Sequence, residues 1–198
     1  ALATKARVDF ESAFTGVQKT IDETANTSFA DLRKQIVKLS EELPSTTSEI
    51  SRVVEVAGQM GVAADDVIAF SKTLIDLGNA ADDVSAEEAA FAIARLQNVM
   101  GLTRGSAEAL ASIITRLGNN TAATEGEIVR FTRFLAGAGK SLGLSADQVL
   151  ALSASLAYSG LEAESSGSAF SRVFKELSQA ATAGGEELQK FVRITGGS

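Results

Sequence analysis

The 198-residue chain carries a formal net charge of −7, with 45% apolar and 22% charged residues and neither cysteine nor histidine. That length and polarity suit a chain with a buried core, and the missing side chains exclude disulfides, thiol chemistry and the usual parts of zinc sites and histidine-based triads. The acidic balance opposes phosphate binding, which needs clustered cations, so no nucleic-acid partner is expected.

A single proline, an abundance of Ala, Leu, Glu, Lys and Arg, and apolar spacing near 3.6 predict helix throughout. No run reaches the roughly 18 uninterrupted apolar residues that a membrane-spanning helix needs. Residues 8–43 form one long amphipathic run, with Phe10, Phe14, Val17 and Ile21 on a stripe that Phe29, Leu32, Ile36 and Leu39 continue. Asn26-Thr27 is a slack point in it, so the run reads either as two helices in line or as one helix packed lengthwise on the rest. Pro44 ends it, because the residue before a proline is pushed out of the helical region. Further helices are predicted over about 49–59, 65–77, 86–98, 106–117, 125–138, 146–158, 166–180 and 186–194. The segment 146–158 is almost wholly apolar or small and reads as the most buried helix. Ala89, Ala90, Ala94, Ala109, Ala111 and Ala154 let neighbouring helices approach, and the aromatic residues read as core.

The helix ends follow a repeat. Gly61 to Gly78, Gly101 to Gly118 and Gly143 to Gly160 each differ by 17 in residue number. A glycine just past a periodic run can close a helix in the left-handed conformation, and a Ser or Thr two positions on can cap the next one. Thr103 and Ser145 hold that capping place, whereas Ala63 cannot cap. Ser145 with Gln148, Ser85 with Glu88, Thr124 with Glu127 and Thr46 with Glu49 have the spacing of capping boxes. The fold class expected is all-α, a multi-helix bundle of repeated helix pairs with short glycine-containing loops, preceded by a long amphipathic N-terminal helix. The expected division is 1–44 as the amphipathic helical segment and 45–198 as a compact helical domain. Because the chain begins at Ala1 and stops at Gly196-Gly197-Ser198, it reads as a piece of a longer polypeptide.

No motif carries visible chemistry. Gly139-Lys140-Ser141 has the last residues of a P-loop, but Phe134 stands where the first glycine should be and a helical run leads in. It reads instead as a helix end at Gly137-Ala138-Gly139, with Lys140 near the negative end of the dipole. The pairs Asp65-Asp66, Asp82-Asp83, Glu87-Glu88 and Glu186-Glu187 could do acid/base work or hold a divalent cation, but each falls near a helix start, where carboxylates complement the dipole. Ser165-Ser166-Gly167-Ser168 reads as a flexible joint with no base for a nucleophile. Asn119-Asn120-Thr121 and Asn26-Thr27-Ser28 fit the glycosylation sequon, a triplet common by chance. No catalytic, cofactor-binding or metal-ligating residue is assigned, and no cofactor.

A series of phrases, taken in order, resembles the core domain of phage tail tape measure proteins of the TP901 type. They are Phe10-Glu11-Ser12-Ala13-Phe14, Ala57-Gly58-Gln59-Met60-Gly61-Val62, Phe70-Ser71-Lys72-Thr73-Leu74-Ile75-Asp76-Leu77-Gly78 and Ser85-Ala86-Glu87-Glu88-Ala89-Ala90. Leu117-Gly118-Asn119-Asn120, Thr124-Glu125-Gly126-Glu127-Ile128, Leu135-Ala136-Gly137-Ala138-Gly139 and Gly160-Leu161-Glu162-Ala163-Glu164 follow, ahead of Ser168-Ala169-Phe170-Ser171-Arg172. The resemblance spans residues 8–194. It implies a non-enzymatic structural protein of a phage virion or prophage, acting in tail assembly, tail length determination and genome ejection. It further implies a place in the tail tube lumen, and in the host cytoplasm during assembly. The implied partners are the tail tube protein, tail assembly chaperones and tail tip proteins, with self-association inside the tube and contact with the host membrane. The ruler of such proteins is their long helical remainder, so this glycine-punctuated segment is not expected to be the measuring part itself. Two other readings stand beside it: a membrane-interacting helical module that uses 146–158 and assists DNA passage, and a histidine-free hydrolase working through paired carboxylates.

Overall fold

The computed structural model describes residues 2–81, 83–103 and 105–183. Among them are nine helices and no strand, in keeping with the all-α class: α1 (Leu2–Thr20), α2 (Phe29–Glu42), α3 (Thr47–Gln59), α4 (Ala64–Ala80), α5 (Ala86–Met100), α6 (Ser106–Asn120), α7 (Glu125–Ser141), α8 (Ala146–Tyr158) and α9 (Ala163–Ala183). The helix predicted over 186–194 and the pair Glu186-Glu187 lie outside the described residues, as does Asp82.

Most helix starts are fixed by side chains. Thr46, Ser85, Thr124 and Ser145 each accept the backbone N–H of the residue three ahead, and Glu49, Glu88, Glu127 and Gln148 bond back, so all four expected boxes form. Ala63 stands at the N-cap of α4 without a side-chain bond. Thr103 differs from its expected role. Its carbonyl accepts the Ser106 amide and hydroxyl, and α6 starts only after that turn, with Gly105 at the N-cap. Gly61, Gly101, Gly143 and Gly160 have φ between 69° and 84°, the left-handed helix end expected of them. Gly78 and Gly118 instead lie within α4 and α6. A Cβ on Gly78 would stand 2.8 Å from the Ala86 backbone nitrogen, so that glycine serves a close approach rather than a turn.

The long N-terminal run is two helices, not one. A box of Ser28 with Asp31 starts α2, and just before it the Thr24 hydroxyl accepts the amides of Asn26 and Thr27. Those local bonds compete with helix continuation. Leu43, ahead of Pro44, is extended (φ −116°, ψ 151°) and closes α2. The segment 165–168 is not a joint but part of the first turns of α9, and Gly167 packs against Phe134 there.

The helices form two rows. Alternate helices α1, α3, α5, α7 and α9 pack side by side in chain order, α2, α4, α6 and α8 do the same, and each helix also touches its chain neighbours across the rows from α2 to α8. This is how stacked helix pairs bury a face that none could bury alone. The repeat explains the spacing of its closing glycines: Gly61 follows α3, Gly101 follows α5 and Gly143 follows α7. One apolar cluster runs through both rows, with Phe14, Leu32, Ile36, Ile50, Leu74, Ile93, Leu96, Ile114, Ile128, Phe131, Leu135 and Leu150 almost fully enclosed. Ala89, Ala90, Ala94, Ala111 and Ala154 lie at helix contacts as expected, while Ala109 is exposed. α8 buries one face but leaves Ala151, Ser155 and Tyr158 in solvent, so it is not enclosed on all sides. The central helix is α5, which packs on α3 and α7 in its own row and on α4, α6 and α8 in the other.

Candidate functional site

The outer face of the α3–α5–α7–α9 row carries two adjoining depressions that share Phe91 and Arg133. The first, about 240 Å³, lies between Val56 and Gln59 of α3, Glu87, Glu88, Phe91 and Ala92 of α5, and Val129, Arg130 and Arg133 of α7. The second, about 440 Å³, lies among Phe91, Arg95, Arg133, Phe134, Ser168, Ser171 and Arg172. The row geometry produces this groove. Phe91 and Arg95 are one turn apart on α5, Arg130, Arg133 and Phe134 share a face of α7, and Ser168 and Arg172 are one turn apart on α9. Phe91, which reads as core in the sequence, is half-buried where the two depressions meet, and the partly buried Phe134 lines the second with the Arg133 guanidinium 5.0 Å from its ring centroid.

The arginines differ in their surroundings. Arg130 donates to the Asp83 backbone oxygen at 3.0 Å and to its carboxylate at 3.1 Å. That carboxylate also accepts the Thr124 hydroxyl at 2.5 Å and the Gly126 amide at 3.0 Å, so it closes the start of α7 from the preceding loop. Partial burial pushes the Asp83 carboxyl up, but the Thr124 hydroxyl, the Gly126 amide and Arg130 outweigh it and hold it below the usual range. Arg95, Arg133 and Arg172 have no carboxylate within ion-pair distance among the described residues. Sequence reasoning missed this groove. Its trace in the chain is a pair of helical arginines, Arg95 and Arg133, with no acidic residue three or four positions away in either direction.

The motifs weighed in the sequence are dispersed. Gly139-Lys140-Ser141 forms the last turn of α7, a little beyond the expected helix end; Gly139 is buried against Val149, and Lys140 donates to the Met100 carbonyl at 3.4 Å. Asp65 accepts the hydroxyls of Thr24 and Thr27 at 2.5 and 2.6 Å, Asp83 clasps α7, Glu88 caps α5, and Glu87 lines the first depression. Among the described residues no group of three or more carboxylates gathers where a metal ion could be held, and no helix is long and apolar enough to cross a membrane.

No curated protein and no solved structure matches the chain. A family of phage-related minor tail proteins does, over residues 33–196, which takes in α3 to α9 whole. A match over that much of the chain shows membership: this chain belongs to the phage-related minor tail protein family, and so to the components of a phage tail.

Proposed function

We propose that the chain is the core domain of a tail tape measure protein, a non-enzymatic part of the tail that acts through helix packing and protein contacts. Its work is tail assembly and length determination, and then genome ejection. Its place is the tail tube lumen, its partners are the tail tube protein, the assembly chaperones and the tail tip proteins, and its gene belongs to a phage or prophage. The observation that carries this reading is the two-row stack with an open groove on one face, in a member of a tail protein family. Stacks of helix pairs present such extended faces to other proteins. An acidic chain would also repel the DNA that passes along the same lumen.

The test is an in-frame deletion of residues 8–194 from the parent gene, with tail length measured by electron microscopy. Absent tails or tails of scattered length are the expected result, and place the domain at the start or end of assembly. Tails shortened in proportion to the residues removed would make the domain part of the ruler. Tails of normal length that infect normally would overturn the reading, and tails of normal length that fail to infect would move the function to ejection.

A further inference from the structure

The half of the groove between α5, α7 and α9 holds three arginines that form no ion pair with a described carboxylate, in a protein of net charge −7. On a helix, the positions from which a carboxylate can pair with an arginine are three or four residues away. Arg95 has Phe91, Ala92, Asn98 and Val99 at those positions, and Arg133 has Val129, Arg130, Ala136 and Gly137. Arg172 has Glu176 one turn on, yet no ion pair forms between them. These side chains also make no hydrogen bond to the described residues. Arg133 is held over the Phe134 ring, which orders the guanidinium before anything binds and leaves its N–H edge free for a bidentate acceptor. Phe91 and Phe134 supply an apolar surface among the cations. Arginine beside an aromatic ring in a depression is the composition of a binding hot spot.

We propose that this groove binds an acidic segment of another protein of the tail, two or three carboxylates on Arg95, Arg133 and Arg172 with an apolar side chain between them on Phe91. The cavity of about 440 Å³ has room for a few side chains and not for a folded domain. Charge selects this occupant over two others. DNA is a polyanion that extends beyond the groove over a chain of net charge −7, while screening confines the arginines' attraction to roughly 8 Å, so a short acidic motif gains the attraction with less of the repulsion. A second copy of the chain joined about a two-fold axis through the groove would set arginine against arginine. The inference rests on reading the chain as a protein-contact part of the tail, but not on its having a role in length. An unchanged tail length would leave the groove's ligand standing, and a failed binding assay would leave the tail-length result standing.

The experiment is fluorescence anisotropy with the full chain and three labelled probes: a peptide of about 12 residues built from Glu-Glu-Leu triplets, the same peptide with Gln for Glu, and an oligothymidylate of about the same length. The expected result is binding of the Glu peptide alone, weakening as salt rises from about 50 to about 200 mM. The double variant R95Q and R133Q, and separately Arg172→Gln, should weaken it by about tenfold or more with unchanged thermal melting. The double variant K34Q and K38Q, on the exposed face of α2, should leave it unchanged. Equal binding of the Gln peptide, no binding of the Glu peptide, or indifference to the arginine substitutions would overturn the proposal. Tighter binding of the oligothymidylate would replace it with a nucleic-acid site. Sedimentation of the chain alone as a dimer that the arginine substitutions dissolve would replace it with a self-contact.

Discussion

The Asp83 carboxylate reaches the start of α7 from outside that helix, and its bonds to Thr124, Gly126 and Arg130 tie the α4–α5 loop to the other end of the helix pair. In the unfolded chain such a carboxyl titrates near 3.8, and in the folded chain it titrates lower. A depressed carboxyl contributes stability that is fully present above the unfolded value and is lost as pH falls through the folded one. Asp83→Asn should therefore cost about 1 kcal/mol in urea denaturation at pH 7, a figure kept small because solvent screens a partly exposed pair. The gap between variant and parent should close as the pH is lowered below about 4. A gap independent of pH would mean that the amide loses packing rather than charge. At this scale the sequence is readable where partners are three residues apart, as in Thr124 with Glu127. It is silent where they are 41 apart, as in Asp83 with Thr124.

Between helices, two glycines that look alike in the sequence have opposite duties. Gly78 lies where α4 passes the first residue of α5, and a Cβ there would meet backbone that cannot swing aside. Gly78→Ala should lose about 1 kcal/mol or more, the cost of overpacking less the gain in helix propensity. Gly137 lies within α7 with open space around its Cα. Gly137→Ala should gain roughly 0.5–1 kcal/mol by the same propensity. Thermal melts of the two variants check both signs at once. Helix starts were legible because Ser, Thr, Glu and Gln announce them locally. The break before α2 was read at Asn26-Thr27, but its capping box was not, because it uses Asp31 in place of Glu; the start of α6 was read at Ser106, but its cap was misassigned to Thr103, whose carbonyl closes a turn ahead of the helix.

For the molecule as a whole, α1 packs on α3 at close range: a Cβ on Gly58 would stand 2.7 Å from the Thr20 hydroxyl at the end of α1. Its buried Phe14 carries the Arg33 guanidinium 4.5 Å from the ring centroid, and Arg33 donates twice to Glu11 at 2.7 and 2.8 Å, so α1 and α2 are also tied to each other. A helix laid over an apolar face of a stack keeps that face from water. A chain lacking residues 1–20 should melt roughly 5 °C or more lower and bind a hydrophobic dye, and an unchanged melt would show that α3 to α9 need no such cover. The groove belongs to this scale too. Its arginines come from α5, α7 and α9, and only the alternate packing of helices sets them together.

The sequence by itself determined the helical class, most helix starts, the glycine helix ends at Gly61, Gly101, Gly143 and Gly160, and most of the buried stripe. Each of these rests on residues within a turn or two of one another, where spacing along the chain is spacing in space. Only the tertiary structure decided that alternate helices pack in two rows, that Phe91 lines a groove rather than the core, and that Arg95, Arg133 and Arg172 face one cavity without forming an ion pair to a described residue. Those facts depend on residues some 40 positions apart in the chain, brought side by side by burial of apolar faces that specify how much must be covered and not which neighbour covers it.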